Sequence, residues 1–311
     1  MANITAKDVA ALRAKTGLGM MECKKALVEA EGDTEKAIKI LREKGLATAS
    51  KKESRIAAEG IVDIMTVGTT TAMIEVNSET DFVAKNESFR AFVKDLLKTI
   101  IENKPANMDA FMEMNCAGTS TSVKDTLVEK IAVIGEKISI RRFVIVEGLV
   151  STYIHGMGAT GVIVKFNAPE ALAGNADFVE FSKNIALQIA AGNPPKYVNR
   201  EEVPASEVEE EKAILIQQAK NDPKNANKPD AILEKMVGGR LGKFYERVCL
   251  VDQPYVKEDK MTVGEYVKAT AKALGTDLGI VSFEIFEKGE GIEKREENFA
   301  EEIAKLANGG N

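Results

Sequence analysis

The sequence predicts an α+β fold from three observations: short helices stopped by glycine near the N-terminus, a hairpin-plus-helix segment that occurs twice, and a charged pair of helices set within the second copy. At 311 residues the chain exceeds the size at which one core is convenient, so several small modules are expected. Its 44% apolar and 29% charged residues suffice for packed cores and show no disordered bias.

Residues 1–45 read as three short helices stopped at Gly17, Gly32 and Gly45, because glycine tolerates the left-handed C-cap conformation. Thr5 and Asp8 make a capping-box pattern for the first helix, and Asp33 is a natural N-cap for the third. Val9, Leu12, Met20, Leu27, Ile38 and Leu41 supply more apolar surface than so small a bundle needs. Either all six are core or some face a partner. Residues 46–55, LATASKKESR, lack apolar periodicity and suit a linker or a solvated helix end, so a domain boundary is expected there.

The duplication follows. Glu59-Gly60 recurs at Glu147-Gly148, Thr71-Ala72-Met73-Ile74 at Thr160-Gly161-Val162-Ile163, and Phe89 and Phe92 at Phe178 and Phe181, all at nearly one offset. Each copy opens with two β-rich runs around a glycine-containing turn, as an antiparallel hairpin requires. A covering helix then carries, in the first copy, Phe89, Phe92, Val93, Leu96, Leu97 and Ile100 on one face. Between the copies, Ser122 and Asp125 cap a helix bearing Val123, Leu127, Ile131 and Ile134, Gly135 ends it, and KISIRRFVIV reads as a strand.

Pro204 opens a helix with Val208, Leu215 and Ile216 that continues to Asp222-Pro223. After the polar tip NDPKNANKPD, Leu233, Val237, Leu241, Phe244 and Val248 mark the return, a protruding hairpin suited to protein contact or self-association. Thr262 and Glu265 cap one more helix, GIVSFEIFEKGEG supplies a last strand, and Phe299, Ile303 and Leu306 stripe a C-terminal helix that docks on a partner or on its own core. One loop is locally odd. If Asn86 caps the first covering helix, the staple position is Lys85 and Phe82 projects from the loop; if a helix starts at Thr80, Phe82 packs inward.

Charge and motifs argue against several functions. With 42 basic against 48 acidic residues and a net charge of -6, the chain lacks the basic surface that displaces phosphate counterions, so no direct nucleic-acid contact is expected. No apolar run suggests a signal segment or a membrane span, which makes the cytoplasm the expected compartment. Cys23, Cys116 and Cys249 form no CxxC pattern and read as reduced, buried thiols. His155 is the single histidine, so a multi-histidine metal site is excluded; no GxSxG, HExxH or GxxxxGK[ST] pattern occurs. Neither an enzyme, a metal nor a cofactor is expected.

The segments TGLGMMECKKAL and EGDTEKAIKILREKG, ETDFVAKN from Glu79 to Asn86, and IGEKISIRR, YIHGMGATGVIV, EKMVGGRLGKFY, QPYVKEDKMTVGEYV and FEKGEGIEKREENFAEEI, in that order, carry over nearly the whole chain a resemblance to the elongation factor Ts family. This resemblance implies a guanine nucleotide exchange factor that binds elongation factor Tu carrying GDP and acts without covalent catalysis. Thr80, Asp81, Phe82 and Val83 match the residues that dislodge the partner's Mg²⁺, with Phe82 as a wedge; Ile134, Gly135 and His155 match other partner-facing positions, and Leu12, Met20 and Met21 the N-terminal contact.

The implied layout is a ubiquitin-associated-like three-helix module with linker at 1–55, core subdomains at 56–146 and at 147–203 with 249–288, a dimerisation-type hairpin at 204–248 and a C-terminal helical module at 289–311. The hairpin tip, Asn221 to Asp230, looks longer than the family's. The alternative reading is a ubiquitin-type interaction adaptor without exchange activity.

Overall fold

The computed structural model describes residues 4–191, 193–222 and 230–293, the side chains at 230, 231, 233 and 234 aside. The architecture is α+β. The expected C-terminal helix with Phe299, Ile303 and Leu306, most of the hairpin tip between Asn221 and Asp230, and the side chain of Leu233 lie outside the described residues. Two compact units divide the chain: one takes Met1–Met65, Ile74–Phe143 and Glu287–Asn311, the other Thr66–Met73 and Val144–Phe286.

The first unit opens with α1 (Ala6–Thr16), α2 (Met20–Glu29) and α3 (Thr34–Lys52). The Thr5 capping box forms in both directions: Asp8 N–H donates to Thr5 Oγ1 at 3.3 Å and Thr5 N–H to Asp8 Oδ2 at 2.9 Å. Gly17 caps α1 in the left-handed conformation, and Asp33 caps α3. Gly45 is a correction. It stops nothing: α3 runs through it to Lys52, because at this glycine α3 lies against the later helix α7 (Val123–Ile134), near Val128 and Ala132. Tertiary packing overrides a weak local breaker. Val9, Leu12, Leu27 and Leu41 form the bundle core with Cys23, Ala26 and Ala37, and Ile38 packs partly against it. Met20 departs from that set, with 44% of its surface exposed.

Strands β1 (Glu59–Val67), β2 (Thr70–Ser78) and β3 (Ile138–Glu147) form a sheet in that order. Gly60 enters β1 at φ 120°, and a Cβ there would meet Val76 O at 2.1 Å, so only glycine fits. Next come α4 (Asp81–Lys85), α5 (Glu87–Asn103) and α6 (Met108–Glu113). All six stripe residues of α5, from Phe89 to Ile100, are buried; each contributes about 1.5–3 kcal/mol of hydrophobic burial.

In the second unit β4 (Val150–His155) and β5 (Thr160–Asn167) pair antiparallel with His155 opposite Thr160. A third strand, β8 (Gly279–Glu287), makes the order β4-β5-β8, which repeats the hairpin-plus-third-strand order of the first sheet. Helix α8 (Ala176–Ala190) brings Phe178 and Phe181 onto Phe166 at ring separations of 5.5 and 5.7 Å. Helices α9 (Ala205–Asn221) and α10 (Asp230–Val248) pack on each other. A small hairpin, β6 (Pro254–Tyr255) with β7 (Glu258–Thr262), precedes α11 (Val263–Leu274), whose Thr262–Glu265 capping box is complete.

All three cysteines are buried. Cys23 sits in the N-terminal bundle core, Cys116 beside Thr99 of α5, and Cys249 at the base of α10 with Val203, Phe244 and Val248. Burial pushes the Cys249 thiol up to about 11. Among the described residues, no helix is long and apolar enough to cross a membrane.

Candidate partner-binding site

Two helices start in the Thr80–Asn86 loop instead of one, so Asn86 does cap the covering helix with Phe82 projecting, while the reading of a helix start at Thr80 holds without the inward Phe82. Thr80 caps α4 by accepting the Val83 N–H, and Asn86 caps α5 by accepting the Ser88 N–H at 2.8 Å. Helix α4 is only five residues long and turns Val83 and Ala84 inward. Since successive helical residues differ by about 100° in direction, Phe82 is then forced outward. It is 79% exposed, the most exposed of the large apolar side chains described. Lys85 Nζ sits 6.0 Å from the Phe82 ring centroid and 2.6 Å from Asp81 Oδ2. Its hydrogen bond holds the Asp81 carboxyl below the usual aspartate range.

The loop is fixed from below. The Thr80 N–H and hydroxyl donate to the two oxygens of Glu136 at 3.0 and 2.8 Å, and the Lys137 N–H donates to Glu79 Oε1 at 2.5 Å. Glu136 immediately follows Gly135, which ends α7 at φ 81° with its N–H on Ile131 O at 2.9 Å. Lys52 Nζ donates to the Gly135 carbonyl, and Lys137 Nζ donates to the carbonyls of Glu53 and Arg55 at 2.7 and 2.9 Å. Thr80–Val83, Ile134–Gly135 and the end of α3 therefore share one network within the first unit.

The remaining residues stand apart from that network. Met20 and Met21 begin α2 in the same unit, 44% and 64% exposed. Leu12 is a correction: at 1% exposure it lies inside the bundle core and has no surface to offer a partner. Val83, at 9%, also faces inward and supports the loop. His155 belongs to the second unit, exposed at the end of β4, with its Nδ1 3.2 Å from the Tyr153 hydroxyl. Two residues on, Met157 tops the hairpin turn at 73% exposure, a feature the sequence reading missed. Also missed were Glu79, Glu136 and Lys137, whose bonds join positions 56 and 58 residues apart and leave no local signal.

Among the described residues no group of three or more histidine, cysteine, aspartate or glutamate side chains is placed to hold a metal ion.

The sequence model described as Elongation factor TS matches residues 79–290, from the first residue of the Glu79–Asn86 loop to the turn after β8. A curated Elongation factor Ts from Clostridioides difficile (strain 630) is 49% identical over 310 residues, which covers 98% of this chain and 99% of that relative. The chain belongs to the elongation factor Ts family. The Ts family match takes in Thr80, Asp81, Phe82, Val83, Ile134, Gly135 and His155, whereas Leu12, Met20 and Met21 precede it. Ts membership places the chain among the elongation factors of protein biosynthesis.

Proposed function

We propose that the chain is a guanine nucleotide exchange factor for elongation factor Tu, binding the GDP-loaded partner and disturbing its Mg²⁺ and phosphate site so that GDP leaves. The observation that carries this reading is Phe82. A large apolar side chain 79% exposed on a five-residue helix, with its backbone cap anchored by Glu136, is presented in a fixed place where a partner can bury it as an aromatic anchor. Phe82 acts as the wedge, with Asp81 beside it, while Thr80 and Val83 hold the loop. Ile134, Gly135, His155, Met20 and Met21 supply further partner contacts.

No covalent step is required. A factor that binds the nucleotide-free partner more tightly than the GDP-bound one weakens GDP by the same coupling free energy. The net charge of -6 suits a protein partner better than a nucleic acid. The α9–α10 pair, with Ile214 and Ile232 exposed at 45% and 49%, is proposed as a self-association surface of this cytoplasmic protein.

The test is release of labelled GDP from elongation factor Tu in the presence of limiting amounts of this chain. Release should accelerate with Mg²⁺ present and gain much less once a chelator has already removed the ion. Tight binding with unchanged release would leave only the adaptor reading.

A further inference from the structure

We infer that Glu136, with Glu79, positions Phe82: the two carboxylates form a crossed clasp that sets where the wedge leaves the surface. The inference rests on the exchange reading above. Helix α4, five residues long, is far below the length at which a helix holds itself in water. Its direction is therefore set by what holds it, the buried Val83 and Ala84 on one side and its start at Thr80 on the other, whose N–H and hydroxyl both end on Glu136 at 3.0 and 2.8 Å. In return the Glu79 carboxylate takes the Lys137 N–H at 2.5 Å, and Arg55 braces Glu79 at 3.2 Å. Residues 79–80 thus hold 136–137, and 136–137 hold 79–80, through hydrogen bonds to ionised acceptors, roughly twice as strong as neutral ones.

The clasp joins more than the loop. The turn it grips also receives the Lys52 ammonium on Gly135 O and sends the Lys137 ammonium to the carbonyls of Glu53 and Arg55. The chain leaving the N-terminal bundle and the loop carrying Phe82 are consequently fixed to the same three residues, 135–137. Glu136 does not touch the partner's nucleotide site in this account. It acts through Phe82, and that is what the test must isolate.

The experiment is a double-mutant cycle in the GDP-release assay, with full-length E136A, E136Q, F82A and the E136A/F82A pair, each checked by thermal melting. E136A removes both acceptors for Thr80 and should slow release about tenfold at limiting factor, with only a small fall in melting temperature. E136Q keeps one oxygen for the Thr80 N–H and should recover part of the rate. The pair should release GDP no more slowly than F82A alone, because nothing is left for Glu136 to position. Wild-type rates in E136A, or losses that multiply in the pair, would overturn the inference. If E136A fails to melt cooperatively, E136Q with and without F82A decides by the same criterion. Normal exchange by F82A alone would instead remove Phe82 as the wedge, and failure of the wild-type chain to release GDP would sink the exchange reading itself, so the failures are distinguishable.

Discussion

At the scale of single residues, Phe82 is where energetics and function separate. Its neighbours Val83 and Ala84 are buried while it is 79% exposed, so truncating it removes little of the protein's own packing. F82A should melt within about a degree or two of wild type, because surface substitutions usually change stability by less than about 0.5 kcal/mol. Release of GDP from elongation factor Tu should nevertheless slow at least about tenfold, the effect of losing roughly 1.4 kcal/mol at a central aromatic anchor. A clear fall in melting temperature would return Phe82 to the interior; an unchanged rate would remove it from the site. Leu12 shows the opposite case, since at 1% exposure a truncation there reports on the bundle core and not on the partner.

At the scale of elements, α3 makes the sharpest test. A Cβ added at Gly45 would lie 3.6 Å from both Ala132 and Val128 of α7, an ordinary contact distance. Glycine inside a helix costs about 1 kcal/mol relative to alanine, so G45A should raise stability by roughly 0.5–1 kcal/mol, read as a higher melting temperature. Were Gly45 a left-handed helix stop, the same change would lower it. The elements legible in the sequence were those written locally: the Thr5–Asp8 and Thr262–Glu265 boxes, the α5 stripe and the Gly135 stop all depend on residues a turn or two apart. Gly45 was misread because the contact that carries α3 onward comes from α7. The short α6 and the β6–β7 hairpin passed unnoticed for lack of periodicity. In the site, the exposure of Phe82 was undecidable because two caps, Thr80 and Asn86, compete for one loop, and the Glu79–Glu136 clasp became visible only once distant segments were brought together.

At the scale of the whole molecule, stability against acid should depend on Glu75. Its side chain is fully buried on β2, ion-paired to Arg141 and Arg142 of β3 at 3.0 and 2.7 Å, and it accepts the Gly289 N–H at 2.8 Å, all within the first unit. Burial alone would push the carboxyl up, but the bonds from Gly289, Asn77, Arg141 and Arg142 hold it below the usual glutamate value of 4.5. A depressed folded value means that this stability is complete above the unfolded glutamate pKa and is lost as pH falls through the folded one. E75Q should therefore lose about 2–4 kcal/mol at neutral pH, and its melting temperature should fall less steeply than that of wild type below about pH 4.5. Parallel melting curves would show that the ionised pair contributes nothing. The three buried cysteines have a further consequence, since a thiol that meets solvent only when its surroundings open is a clock for that opening. Alkylation followed by peptide mass spectrometry would time the N-terminal bundle at Cys23, the α5 region at Cys116 and the base of α10 at Cys249, without adding a label. The small bundle around Cys23 should react first, and a single common rate would mean that the chain opens as one cooperative body.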